Sequence, residues 1–255
     1  MTGSVARSGG ALAHKGRTGH STGVASRQQE PSAPGIRPYR DADRDDLYDV
    51  CVRTGAAGQD ARGLYLSDEL LGDVYAGPYA ALEPWLAFVL DNGERVVGYI
   101  LGTADTERFV ERFRSEWLPR FGGRYGRRGP GLRPGSGPAG QAPPTEGSRQ
   151  ANPAQSPDDK LVDCLMHPER MLVPGTEAFP AHLHIDLLPA YQGRGYGRAL
   201  IETFADAVAA RGAGGICVGV APENTRALAF YARVGFDRIG GAPDGGAVYL
   251  GRKLG

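Results

Sequence analysis

Residues 192–197, Gln-Gly-Arg-Gly-Tyr-Gly, are the part of this chain whose residue types and spacing point most directly to chemistry. They stand between an alternating segment, Ala181 to Leu188, and a stretch with helical apolar spacing from about Gly195 to Arg211. A glycine-rich turn from strand into helix lets the backbone approach a ligand closely. The free N–H groups and positive dipole of the helix start then attract an anion, most naturally a phosphate. Arg194 and Arg198 can add charge-assisted contacts. The segment is not a P-loop, because no Gly-Lys-Ser/Thr follows. It also departs from the dinucleotide fingerprint, because the next strand ends Gly219-Val220-Ala221 rather than on an acid.

Two further groups surround this loop. In the alternating segment, Leu183, Ile185 and Leu187 face one side of the predicted strand and His182, His184 and Asp186 the other. Histidine titrates near neutrality and suits a base or a water relay, while the plainer reading is a hydrogen-bonded structural imidazole. Asp186 can recognise a cation or hold a histidine tautomer. One strand after the loop comes Asn224-Thr225-Arg226-Ala227-Leu228-Ala229-Phe230-Tyr231, running on to Gly235-Phe236. Taken without a motif, Tyr231 is a tyrosine half-buried on the predicted helix.

The elements that position these groups read as α/β. A short extended start at Ile36–Tyr39 leads into a helix carrying Leu47, Val50 and Cys51, with Asp43 as its N-cap and Asp45 and Asp46 near its positive end. Residues 67–76 form a second helix. Trp85–Leu90 and Arg95–Gly102 form a hairpin about Asp91-Asn92-Gly93. Residues 105–118 form a helix whose Phe109, Phe113 and Trp117 face the core. The back half reads βαβαββ, with strands at 181–188 and 216–220, helices at 195–211 and 223–234, and a last strand pair.

The chain holds 255 residues with 39 glycines and 19 prolines, nearly twice the usual combined share of about 12%. Much of this excess falls in residues 1–34 and in about 126–160, read as a disordered tail and a flexible insertion in a single domain spanning 35–255. A lid or partner-binding segment is the alternative for the insertion. Lys+Arg and Asp+Glu both number 29, which argues against an electrostatic grip on nucleic acid or a membrane surface. No apolar run is long enough to span a bilayer and no secretory h-region is present. Cys51, Cys164 and Cys217 follow no metal or disulfide spacing, so a reducing cytoplasm and no metal are expected. Asp60, Asp68, Glu69 and Asp73 either attract an amine or form a solvated acidic face.

Gln192, Gly195 and Gly197, followed by Asn224, Ala227, Phe230, Tyr231, Gly235 and Phe236, resemble the paired motifs of the GCN5-related N-acetyltransferase (GNAT) superfamily. In the front half, Ile-Arg-Pro-Tyr, the Asp43–Cys51 helix, Val96–Thr103 and Ser115–Pro119 resemble the C-terminal acetyltransferase-like domain of protein O-GlcNAcase. The resemblance implies a mixed, mostly antiparallel twisted sheet, splayed at its central strands and flanked by helices on both faces. It implies acetyl-CoA as co-substrate, held by Gln192, Gly193, Arg194, Gly195, Tyr196, Gly197 and Arg198 at the pyrophosphate. Leu187 and Leu188 would hold the pantetheine through their backbone, with Asn224, Ala227 and Phe230 beside it. A backbone N–H there would polarise the thioester carbonyl, and Tyr231 would protonate the departing thiolate. His182, His184 and Asp186 would serve the amine. The acceptor is then a primary amine on a small molecule, peptide or protein lysine, with a homodimer left open. The alternative is a non-catalytic acetyl-CoA-binding or interaction module.

Overall fold

A computed structural model of the chain describes residues 33–65, 67–121, 125, 156–241 and 246–255. The tail, save residues 33 and 34, and residues 126–155 of the insertion lie outside the described residues. Seven strands form one sheet: β1 (Gly35–Pro38), β2 (Phe88–Asp91), β3 (Val96–Thr103), β4 (Ala181–Leu187), β5 (Gly215–Val220), β6 (Asp237–Gly241) and β7 (Val248–Lys253). Their order is β1-β2-β3-β4-β5-β7-β6, and every neighbouring pair is antiparallel except β4 with β5. β3 is buried along its whole length, because helices cover both faces.

Helices α1 (Arg44–Thr54), α2 (Glu69–Tyr75), α3 (Gly77–Leu82), α4 (Thr106–Arg112) and α5 (Pro157–Met166) enclose one core with Val97, Tyr99 and Leu101 of β3. Helices α6 (Tyr196–Ala209) and α7 (Thr225–Arg233) pack on the opposite face against Ile100, Leu183 and β5. The alternation of β3 and β4 therefore assigns each side chain to one of two cores. Phe109, Phe113 and Trp117 are buried in the first, as their four-residue spacing predicts; the helix is α only to Arg112 and continues as a π turn through Trp117.

Three local expectations are revised, for the Asp43 cap, the start of the first hairpin strand and the end of the flexible stretch, while Asp45 and Asp46 do stand in the first turn of α1. Asp43 does not cap α1 through its side chain; its carboxylate accepts from the Arg40 amide at 2.8 Å and pairs with Arg37, which also reaches Asp91 at 2.8 Å. Asp46 accepts from the Val96 amide at 2.9 Å and pairs with Arg95, tying α1 to the hairpin. The first hairpin strand starts at Phe88, because Pro84–Leu86 form a 3-10 turn that leaves Trp85 exposed. The expected flexible stretch to Lys160 ends early, since Pro157–Met166 is helix. Ser156 and Asp159 close a capping box, Pro157 takes the first helical turn, and Leu161 and Leu165 are buried.

Docking of α5 rests on Leu165, which has no exposed surface. Leu165→Ala is expected to lower unfolding stability by about 2–4 kcal/mol, read from the denaturant midpoint. A change below about 0.5 kcal/mol would show that α5 does not belong to the core.

Candidate active site

The candidate site is built where β4 and β5 separate. They pair only at Ala181 with Ile216 and His182 with Cys217. Beyond His182 the C-terminal half of β4 has no strand on that edge among the described residues. Leu188 donates its amide to the Val97 carbonyl at 2.9 Å, and Leu187 lies opposite Gly98. The alternation of an antiparallel ladder then turns the amides of Ile185 and Leu187 toward the opening. The amide of Leu188, expected to face a ligand, is instead committed to β3.

The loop after β4 closes the top of this opening. Gly193 and Gly195 have φ of 72° and 89°, which is why glycine stands at both; a Cβ at either would meet nothing, so the requirement is conformational. Gly195 is the N-cap of α6 and offers no side chain to its first amides. A fourteen-residue helix thus begins with unsatisfied N–H groups and a positive dipole directed at the mouth of the opening. Gly197 is glycine for space instead, since a Cβ there would lie 3.1 Å from the Phe230 ring. Arg194 is exposed beside the loop and Tyr196 half-buried.

Two loop residues also make side-chain contacts within the protein. The Gln192 amide donates to the Leu187 carbonyl at 2.8 Å and accepts from Arg226 at 3.2 Å, so it clamps the end of β4 to α7. Arg198 donates to the Arg233 carbonyl at 2.7 Å, which draws its guanidinium to the far end of α7. On α7, Asn224 caps the helix by accepting from the Ala227 amide at 3.1 Å, leaving its NH2 group without a partner among the described residues. Ala227 and Phe230 are half-buried on the inner face of α7. Tyr231 is buried against Phe230 and Phe236, and its hydroxyl makes no hydrogen bond among the described residues. Burial, with the Asp186 carboxylate adding to it, holds that phenol well above its ordinary range.

On the other face of β4 the polar residues are all engaged. The Tyr79 hydroxyl lies 2.8 Å from His182 Nε2 and 3.1 Å from His184 Nε2, and His182 Nδ1 lies 2.8 Å from the Thr106 hydroxyl. Burial, then His184 and Arg170, push the His182 imidazolium down to about 3; burial and Arg170 push His184 down to about 4. Asp186 accepts from Tyr99 at 2.7 Å, yet burial lifts its carboxyl to about 6, against the hydrogen bonds from Tyr99 and Thr54. Tyr79, Thr106, Tyr99 and Arg170 were not legible as site residues. Tyr99 alone carried a signal, as the direct cross-strand partner of Asp186. Asp73, read either as an anion for an amine or as part of a solvated acidic face, is instead buried and accepts from Tyr48 at 2.8 Å and Tyr125 at 2.9 Å. Asp60 is engaged by Arg62 at 2.6 Å. A cavity of about 760 Å³, lined by Thr103, Asp105, Pro180 and Arg211 among others, lies at the other end of β4.

The raised Asp186 carboxyl has a thermodynamic consequence. A folded pKa of about 6 lies above the unfolded value, so the proton bound by the folded state stabilises it below about pH 4, and that stabilisation is lost as pH rises through 6. Asp186→Asn keeps an oxygen for Tyr99 and removes the charge. Its thermal midpoint relative to the wild type is expected to climb between pH 4 and 7; a flat difference would show that the carboxyl titrates normally.

A family model described as the acetyltransferase (GNAT) family matches residues 169–236, which contain β4, the glycine loop, α6, β5 and α7. Protein O-GlcNAcase of Rattus norvegicus is 24% identical over 226 residues, covering 86% of this chain but only 22% of that protein. The chain thus spans about a fifth of the length of that curated relative. N-alpha-acetyltransferase RimI of Mycobacterium tuberculosis is 46% identical over 66 residues, 26% of this chain and 40% of that protein. The crystal structure of SsHAT superposes with a TM-score of 0.73 at 47% identity, covering 88% of this chain and 99% of that one. A glycine loop opening a helix beside two diverging strands, and a near-complete match to a solved chain at this identity, lead to one conclusion: the chain belongs to the GNAT family of N-acetyltransferases, a family of acyltransferases.

Proposed function

We propose that the protein moves the acetyl group of acetyl-CoA to a primary amine by direct attack within a ternary complex. The observation that carries this reading is the opening between β4 and β5, with unpaired strand amides along one side and an uncapped helix start at its mouth. The amides of Gly193 through Gly197 would take the pyrophosphate, with Arg194 beside it. The pantetheine, an extended chain with its own amides, would lie along β4 as a missing strand does. The Ile185 and Leu187 amides and the Asn224 NH2 group are the donors available to it. Ala227 and Phe230 supply the apolar side of α7.

The Leu187 amide would donate to the thioester carbonyl, where negative charge develops. Burial keeps the Tyr231 phenol protonated, and its hydroxyl has no partner among the described residues. It would donate a hydrogen bond to the sulfur of the departing thiolate, stabilising the charge that develops there and relaying a proton to it as CoA leaves. The amine would enter from the face of β4 that carries His184 and Asp186. An imidazole held neutral can accept a proton, and a carboxyl near pH 6 can attract a cation. The acceptor class is a primary amine of a small molecule, peptide or protein lysine. The reading takes the cytoplasm as the compartment, supported by three cysteines that stand unpaired.

The test is calorimetric titration with acetyl-CoA followed by an acetyl-transfer screen over polyamines, amino sugars, aminoglycosides and lysine peptides. Binding in the micromolar range is expected, and Tyr231→Phe is expected to lower kcat about a hundredfold while leaving acetyl-CoA affinity within a few-fold. Absence of binding would overturn the reading. Binding with no transfer to any amine would replace it with an acetyl-CoA-binding module, the reading that a 24% likeness to O-GlcNAcase keeps in play.

A further inference from the structure

Between the two histidines of β4 and the start of α4 runs a chain of hydrogen bonds whose members reach across more than 70 residues of sequence. Its direction can be worked out from one end. The Thr106 hydroxyl lies 2.8 Å from the Pro180 carbonyl and 2.8 Å from His182 Nδ1. A carbonyl oxygen only accepts, so two oxygens at that separation attract only if the hydroxyl donates. The Thr106 proton is therefore spent on Pro180, and its oxygen must accept from His182. That places a proton on His182 Nδ1 and the lone pair on Nε2. Tyr79, 2.8 Å from Nε2, must donate to it. Having given its one proton, the Tyr79 oxygen can only accept from His184 Nε2 at 3.1 Å. Met171 Sδ, 3.5 Å from the same hydroxyl, is a weak acceptor and does not compete with an imidazole nitrogen.

We infer that the Pro180 carbonyl determines which nitrogen of His184 carries the lone pair, acting through Thr106, His182 and Tyr79, and that Thr106 and Tyr79 are positioning residues for a base at His184 Nδ1. The tautomer assignment stands on geometry alone; its catalytic meaning rests on the acetyltransferase reading above. His182, with both nitrogens committed inside the protein, orients and does not exchange protons with an acceptor. His184 keeps one uncommitted nitrogen among the described residues, on the less buried ring of the pair. Both imidazoles are held neutral, so tautomer rather than charge decides which atom is basic.

The measurement is long-range 1H–15N correlation on the full chain labelled at histidine, reading both ring nitrogens of His182 and His184. The wild type is expected to show His184 protonated at Nε2 and bare at Nδ1, with His182 the reverse. Thr106→Val removes the oxygen at nearly constant volume and is expected to mix the two tautomers at His184; Thr106→Ser is expected to restore the single state. Tyr79→Phe breaks the bridge itself and carries the same test if the valine variant fails to fold. In steady-state kinetics Thr106→Val is expected to lower kcat about tenfold with KM little changed, and Thr106→Ser to recover it. A wild-type His184 protonated at Nδ1, or a His184 tautomer indifferent to both substitutions, would overturn the inference. A wild type with the expected tautomers but no acetyl transfer would uphold the network and overturn the functional reading instead.

Discussion

β4 and β5 lie side by side for two residues and then part, and most of the candidate site follows from that separation. A parallel pair that stayed zipped would consume the edge amides of β4, and α6 and α7 would start on a closed sheet. Once the strands diverge, both helices begin at the rim of the gap, because each follows directly from one of the two strands. The gap must then be kept from collapsing. Gln192 bridges the end of β4 to Arg226 on α7, and Leu187 sits in a notch between two glycines. A Cβ at Gly98 would lie 2.3 Å from Leu187 Cδ2, and one at Gly197 would lie 3.6 Å from its Cδ1 and 3.1 Å from Phe230. Glycine in these positions provides room for the strand end rather than freedom of the backbone.

The sheet also separates two kinds of chemistry. On the α6 and α7 side, β4 presents apolar residues and unpaired backbone, suited to an extended ligand of low charge with a phosphate end. On the α1 to α5 side it presents three titratable side chains in a buried, aromatic setting of Tyr75, Tyr79, Tyr99 and Phe109. Burial acts on these groups in opposite directions, lowering the two histidines and raising the aspartate, so each is driven toward its neutral form. Three ionisable residues in a row thus add little net charge to a core that could not solvate it. The hydrogen-bond network compensates for lost water and, in doing so, specifies proton positions.

The parts legible in the sequence are those governed by short-range rules. Period-two alternation found β4, helical spacing found α6 and α7, and the loop glycines announced a tight strand-to-helix turn. Where the sequence misled, a local cue competed with a longer-range one. Asp43 looks like a helix cap until Arg37 and Arg40 claim its carboxylate. The apolar run at Trp85 looks like strand, but Pro84 sets a turn. The Gly/Pro text before α5 masked a good capping box. Within the loop, the side chains of Gln192 and Arg198 also reach protein carbonyls, those of Leu187 and Arg233, which no short-range rule announces.

Tyr79 and Thr106 mark the limit of such reading. Each touches His182 across 103 and 76 residues respectively, and neither carries a motif, since a tyrosine on a short helix and a threonine after an N-cap are common in any domain. Their importance arises because α3, α4 and β4 converge on one buried imidazole whose every polar atom must be satisfied. Satisfying it leaves a single consistent arrangement of protons from Pro180 to His184. The residue types of the site can be recognised one by one from sequence, but the direction in which they pass hydrogen bonds is a property of the assembled fold.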